Sequence, residues 1–112
     1  PALRAALVHR YGPHPDQRLE VWLPARSAPA PVVVVLHGGY WRAPYGIELA
    51  RPLAADLART GVVGVAVEYR RVGGGGGWPA TLADVAAALD ALPDVPVAAR
   101  LDLDRLAVVG HS

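Results

Sequence analysis

Along the chain, apolar positions gather into short β-branched runs and longer stretches of helical period, separated by breaks rich in Gly and Pro. Residues 3 to 9 and 19 to 23 predict two strands; in the second, Leu19, Val21 and Leu23 alternate with Glu20 and Trp22, the period of two that a strand imposes. The turn-rich segment YGPHPDQ between them predicts an antiparallel hairpin. After the polyproline-like connector SAPAP, Val32 to Leu36 is a continuous aliphatic run of the kind found in strands buried on both faces. Leu49, Leu53 and Leu57, flanked by Ala50 and Ala54, recur at helical spacing. Pro52 is tolerable only in the first turn, so this helix starts near Arg51, and Gly61 falls at its C-cap. Val62 to Val67 predicts a second buried strand. Pro79 opens a second helix, with Leu82, Val85, Ala86, Leu89 and Leu92 at helical spacing and Pro93 as its stop. Leu106 to Val109 predicts a third buried strand. The order β, β, β, α, β, α, β implies right-handed crossovers and a mostly parallel sheet covered on both sides. The expectation is an α/β fold that opens with an antiparallel hairpin.

Composition narrows the function classes. A chain of 112 residues, 53% hydrophobic and with eleven basic against ten acidic side chains, is one packed globular piece and not a disordered chain. No apolar stretch reaches the roughly 18 residues that cross a bilayer, and residues 1–11 lack the pattern of a secretory signal. A soluble cytoplasmic protein with no membrane partner is expected. Without cysteine there is no disulfide framework, thiolate nucleophile or Cys-ligated zinc site. The basic residues are all Arg, scattered from Arg4 to Arg105 among the acids, so the basic patch that marks nucleic-acid binding is missing. The absence of Lys, Phe, Met and Asn fits a GC-rich coding bias.

In open α/β sheets, sites form in the loops beyond the carboxyl ends of the strands. Three such loops are predicted: HGGYWR after the first buried strand, EYRRVGGGGGWP after the second and GHS after the third. Gly38 and Gly39 let the backbone turn sharply and free its N–H groups for a developing oxyanion; a simple tight turn is the plainer reading of the same pair. His37 has three readings, a base, a metal ligand or a hydrogen-bonding brace. With no second His or acid at ligand spacing, we expect the brace and no metal. Gly110 to Ser112 carries the first three positions of G-x-S-x-G, the strand-to-helix turn that exposes a serine nucleophile. A nucleophile and an oxyanion hole on one sheet edge is what acyl transfer requires. The run Gly73 to Gly77 lacks both the P-loop and the dinucleotide-binding patterns, and is read as a flexible loop. Asp84 and Asp90 on the second helix, and Asp102 and Asp104 just before the last strand, are expected to be solvated or capping residues.

Taken together, HGGYW, EYR, WPATLADV and GHS resemble, in order and spacing, the N-terminal half of an α/β-hydrolase. The resemblance is to the hormone-sensitive-lipase-like esterases, and particularly to the kynurenine-formamidase-like group with its His-Gly-Gly-aromatic-Trp loop. It implies an α/β-hydrolase fold truncated after the fifth strand, with residues 1–112 as the N-terminal part of a single domain. It also implies Ser112 as nucleophile, Gly38 and Gly39 with the Tyr40 N–H as oxyanion hole, His37 as the loop brace, Trp41 as either a pocket wall or a packed core aromatic, and His111 as the variable residue of the elbow. Tyr69, Arg70, Pro79 and Asp84 match structural positions. The substrate implied is a small-molecule ester or amide, cleaved without a cofactor. The general base and its orienting acid would lie beyond Ser112, so the 112 residues alone are expected to be inactive, and their last strand to form an open apolar edge. Two alternatives stand beside this reading, a noncatalytic binding protein on the hydrolase fold and a nucleotide-binding α/β module.

Overall fold

The valine runs form the middle of one sheet. A computed structural model describes residues 4–38 and 46–110. Its strands are β1 (Leu7–Arg10), β2 (Arg18–Trp22), β3 (Ala30–Leu36), β4 (Val63–Val67) and β5 (Leu101–Gly110), with helices α1 (Arg51–Arg59) after β3 and α2 (Ala80–Ala91) after β4. The spatial order is β1-β2-β4-β3-β5. β5, β3 and β4 pair in parallel, while the β1–β2 hairpin is antiparallel and joins β4 antiparallel through β2. The α/β class, the opening hairpin and the element order expected from the sequence are all present.

Alternation along the strands separates two cores. Val63, Val65 and Val67 of β4 pack with Leu19, Val21, Val32 and Val34 on one face, which Ala88 of α2 and Leu92 close. On the other face Ala66 and Val35 meet Trp22, Ile47, Ala50 and Ala54. That second face is lined by small residues for a reason: a Cβ at Gly64 would overlap the backbone of Ala54, so α1 rests directly on β4. Gly61, with φ of 96°, ends the α1 connection where the sequence placed a C-cap.

The helices turn inward only part of the faces their leucines suggest: Leu57, Leu89 and Leu92 pack against the cores, and the others do not. Leu49 and Leu53 remain 49% and 44% exposed, while Ala50 and Ala54, each directly after one of them, are buried. α2 buries Thr81, Asp84 and Ala88 and leaves Leu82 exposed. Polar anchors set this rotation, because Arg70 ion-pairs with Asp84 and the Thr81 hydroxyl donates to the Arg70 carbonyl. Asp84 is therefore neither solvated nor a cap; it is 1% exposed and paired. Asp90 is exposed, as expected.

β1 runs over residues 7–10, overlapping only the last three residues of the segment 3–9 predicted for it and extending one beyond it. The last strand, by contrast, begins five residues early, so Asp102 and Asp104 lie inside β5. Its register jumps from Pro31–Asp102 to Val32–Leu106, and Asp102 spans the bulge by accepting from the Asp104 amide and from Arg105 Nε. β5 is not the buried strand its composition predicts. Among the described residues it pairs with β3 alone, and Leu106, Val108 and Val109 are exposed, which is the apolar edge implied by the resemblance. The five-glycine run is also no loose tether: the amides of Gly74 and Gly76 donate to the Arg71 carbonyl, folding the run back on the end of β4. Among the described residues no helix is long and apolar enough to cross a membrane.

Candidate active site

Three parallel strands end together. Leu36 of β3 is paired with Val67 of β4 on one side and with Gly110 of β5 on the other. The ends of β3, β4 and β5, at Leu36, Val67 and Gly110, therefore lie level along one edge, on strands about 4.8 Å apart. Because β2 runs antiparallel to β4, the hairpin turn of residues 11–17 arrives at that same edge. It is fastened there: Tyr11 Oη donates to the Glu68 carbonyl at 2.6 Å, and Gln17 Nε2 to Asp84 Oδ1 at 2.9 Å.

His37 is buried and fully engaged. Its Nδ1 lies 3.0 Å from the Gly38 carbonyl and, since a carbonyl only accepts, carries the hydrogen of that bond. Nε2 is hydrogen-bonded to Glu68 Oε1 at 2.9 Å. The ring stacks on Tyr69 with centroids 4.3 Å apart and planes within 2°, and Tyr69 Oη donates to the His37 carbonyl at 2.9 Å. Both ring nitrogens are occupied, so a free base is not what this geometry offers. Burial pushes the Tyr69 hydroxyl up to about 12, with the Glu68 charge adding to it, so it stays a neutral donor.

Glu68 was given no role by the sequence, yet it is the centre of the cluster. Its carboxylate is 1% exposed and also accepts from the Ile47 amide at 2.9 Å and the Tyr69 amide at 3.2 Å. Arg18 and Arg71 stand 3.8 Å away. Burial alone would raise its pKa, but the hydrogen bonds from His37 and Ile47, with the Arg71 charge, outweigh it and hold the carboxyl below the usual range. A buried carboxylate is costly unless it is paired and hydrogen-bonded, and here every approach is filled. The signal that could have found it is an acid directly after an all-apolar buried strand.

Arg70 and Asp84 form the second polar cluster of this edge. Asp84 accepts from Arg70 Nε (2.9 Å), Arg70 NH2 (2.8 Å), the Arg70 amide (2.9 Å) and Gln17. Burial opposes ionisation of Asp84, and these donors overcome it, lowering its pKa. The ion pair ties α2 to the end of β4 and fixes the direction in which the post-β4 loop departs.

Of the residues proposed from the sequence, the structure thus places His37 and Gly38 at the edge, in contact. Gly39, Tyr40, Trp41, His111 and Ser112 lie outside the described residues. Gly110, two positions before Ser112, is in register with Leu36, one position before His37.

Comparison with known proteins agrees with this architecture. The BD-FAE family model matches residues 19–112. A kynurenine formamidase of Danio rerio is 42% identical over 60 residues, spanning 53% of this chain and 20% of that protein. Among solved structures, an esterase of Thermogutta terrifontis superimposes with a TM-score of 0.84 at 21% identity, covering 100% of this chain and 43% of its own. Esterase B of Lactobacillus rhamnosis superimposes with a TM-score of 0.79 at 29% identity, covering 96% and 37%. The chain spans less than half the length of each of these relatives. The match over residues 19–112, on a sheet of this topology, means that the chain belongs to the BD-FAE family and has the fold of these α/β-hydrolase structures.

Proposed function

We propose that this chain carries the nucleophile and the oxyanion-stabilising loop of a serine hydrolase that cleaves a small carboxylic ester or amide through an acyl-enzyme. The observation that supports it most is the level ending of β3 and β5, with Leu36 opposite Gly110. The Gly-Gly loop and the Gly-His-Ser turn leave neighbouring strands at one edge, as acyl transfer requires. The relatives, named as a formamidase and as esterases, agree with a small acyl substrate.

In this reading Ser112 Oγ attacks the substrate carbonyl carbon and gives its proton to a general base. The tetrahedral oxyanion accepts hydrogen bonds from N–H groups of the loop containing Gly38, Gly39 and Tyr40. Collapse breaks the bond to the alcohol or amine, which leaves with the proton returned by the base, and water then hydrolyses the acyl-serine by the same steps. His37 assists without touching substrate. In a trans peptide the N–H opposes the C=O, so bracing the Gly38 carbonyl fixes the direction of the donor that shares its peptide unit. Trp41 forms part of the pocket wall.

The described histidines leave the base to another part of the protein. His37 is locked, and His14 Nδ1 accepts from the Asp16 amide inside the hairpin turn. His9 is on β1, four strand spacings from β5, or about 19 Å at roughly 4.8 Å per spacing. We assign the base to a histidine oriented by an acid, both outside these 112 residues. Without the base, turnover falls by about six orders of magnitude, so the 112-residue chain alone is expected to be silent. The test is labelling with a fluorophosphonate probe: the intact protein carrying this sequence is expected to be modified at Ser112 and its Ser112→Ala variant not at all. An active intact protein modified elsewhere would refute the assignment.

A further inference from the structure

We propose that Glu68 is a positioning residue for the oxyanion loop, a single buried carboxylate that ties the loop's entry at His37 to its exit at Ile47. One oxygen, Oε1, is bonded to His37 Nε2 at 2.9 Å, and through His37 Nδ1 the connection reaches the Gly38 carbonyl. The other, Oε2, accepts from the Ile47 amide at 2.9 Å, where the chain re-enters regular structure ahead of α1. The same carboxylate thus holds His37 and Gly38 at the end of β3 and Ile47 ahead of α1. The carboxylate is itself immobilised from β4: its own chain continues the sheet, with the Glu68 amide donating to the Arg18 carbonyl at 2.9 Å. The surroundings leave it no slack. A Cβ added at Gly46 would press on Glu48, Arg71 and Glu68, so the exit is packed against the same carboxylate it is bonded to.

Charge alone does not explain this arrangement, because Arg18 and Arg71 both stand 3.8 Å from the carboxylate and each also lies within ion-pair distance of Asp16. What Glu68 supplies uniquely is reach: a side chain long enough to meet a ring nitrogen on one strand end and a backbone amide on the next element. Gln at position 68 preserves that reach. Its amide nitrogen can donate to His37 Nε2 while its oxygen accepts from Ile47, with His37 Nδ1–H still on Gly38; of the bonds to the carboxylate only the long one from the Tyr69 amide is lost. Asp is one methylene too short to meet both, and Ala meets neither. The effect on turnover rests on the hydrolase reading above, whereas the tie itself does not.

The experiment uses the intact protein and reads two quantities in Glu68→Ala, Glu68→Asp and Glu68→Gln, namely amide hydrogen exchange at Ile47 and steady-state hydrolysis of p-nitrophenyl acetate. In Ala and Asp, Ile47 exchange should rise about tenfold or more while β4 amides stay protected, as in local opening. In the same two variants kcat should fall by about 10- to 100-fold with KM nearly unchanged, the scale of a misplaced transition-state contact. Gln should restore both. Glu20→Gln, at a buried carboxylate of β2 paired with Arg51, is the control; it should lower stability and leave kcat and Ile47 exchange alone. The proposal is overturned if Ile47 exchange in Asp or Ala stays within twofold of wild type, if Gln behaves like Ala, or if the control reproduces the kcat loss. Should the wild-type protein neither label nor hydrolyse, the hydrolase reading fails, and Ile47 exchange still decides the tie. Asp serves where Ala does not fold.

Discussion

Replacing Asp84 by Asn removes one charge from a carboxylate that accepts four hydrogen bonds, three from Arg70 and one from Gln17. The amide is isosteric, so the cost can be worked from the hydrogen-bond inventory. One terminal oxygen remains and can serve one pair of donors; the new NH2 then faces the other pair, donor against donor. Breaking one side of a buried ion pair costs about 3–5 kcal/mol. The Arg70 side chain is 29% exposed and can turn toward water, which favours the lower end, about 3 kcal/mol. With urea m-values of about 1–3 kcal/mol/M, the midpoint should fall by about 1–3 M. Urea unfolding of the intact protein followed by tryptophan fluorescence measures it, with Asp90→Asn on the exposed side of α2 expected within about 0.5 kcal/mol of wild type. The pH dependence has a definite sign. Because the folded-state pKa of Asp84 is lowered, its contribution is fully present above the unfolded value of about 3.9 and is lost as pH falls through the folded one. The gap between wild type and Asp84→Asn should therefore be full at pH 7 and close below about pH 4. A destabilisation under 1 kcal/mol at pH 7, or a gap that widens in acid, would refute the assignment of Asp84 as the anchor of α2.

Two further outcomes follow from packing. Gly64→Val improves strand propensity but drives a side chain into the Ala54 backbone, so thermal unfolding should show a loss of about 1–3 kcal/mol, as for overpacked cores; a gain in stability would show that α1 does not rest on β4. Val108→Lys places a charge on the exposed β5 edge, and light scattering should show the isolated 112-residue chain aggregating less than its parent. Equal aggregation would mean that this edge is not the sticking surface.

How much of this was legible in the sequence depends on whether a residue's partners are near it in the chain. β4 could be read directly, since five consecutive small and β-branched residues have few alternatives to a strand buried on both faces, and β3 likewise. Pro52 and Gly61 bounded α1 through purely local backbone restrictions. The inward face of α2 could not be read that way. Its leucines suggested one stripe, but Asp84 and Thr81 are drawn inside by Arg70, 14 and 11 positions away, and an ion pair of that separation leaves no periodic trace. β5 was legible as an apolar strand, and within the described residues Leu106, Val108 and Val109 are the exposed edge expected of these 112 residues. At the site, the lack of a second His or acid at ligand spacing pointed His37 away from a metal, and its ring nitrogens are both hydrogen-bonded within the protein. Glu68 was not, since its meaning arises only when parallel pairing brings the ends of β3 and β4 level and the amide of Ile47 beside them.

The claim at the centre of this account is that two loops at one sheet edge, one starting at His37 and one ending the sequence at Ser112, form a single acyl-transfer site. Fluorophosphonate labelling of the intact protein, followed by peptide mass spectrometry, tests it most directly. One adduct on Ser112, absent in Ser112→Ala and matched by loss of ester hydrolysis, is the result predicted. Ester hydrolysis that survives Ser112→Ala, or an adduct on a different residue, would contradict it.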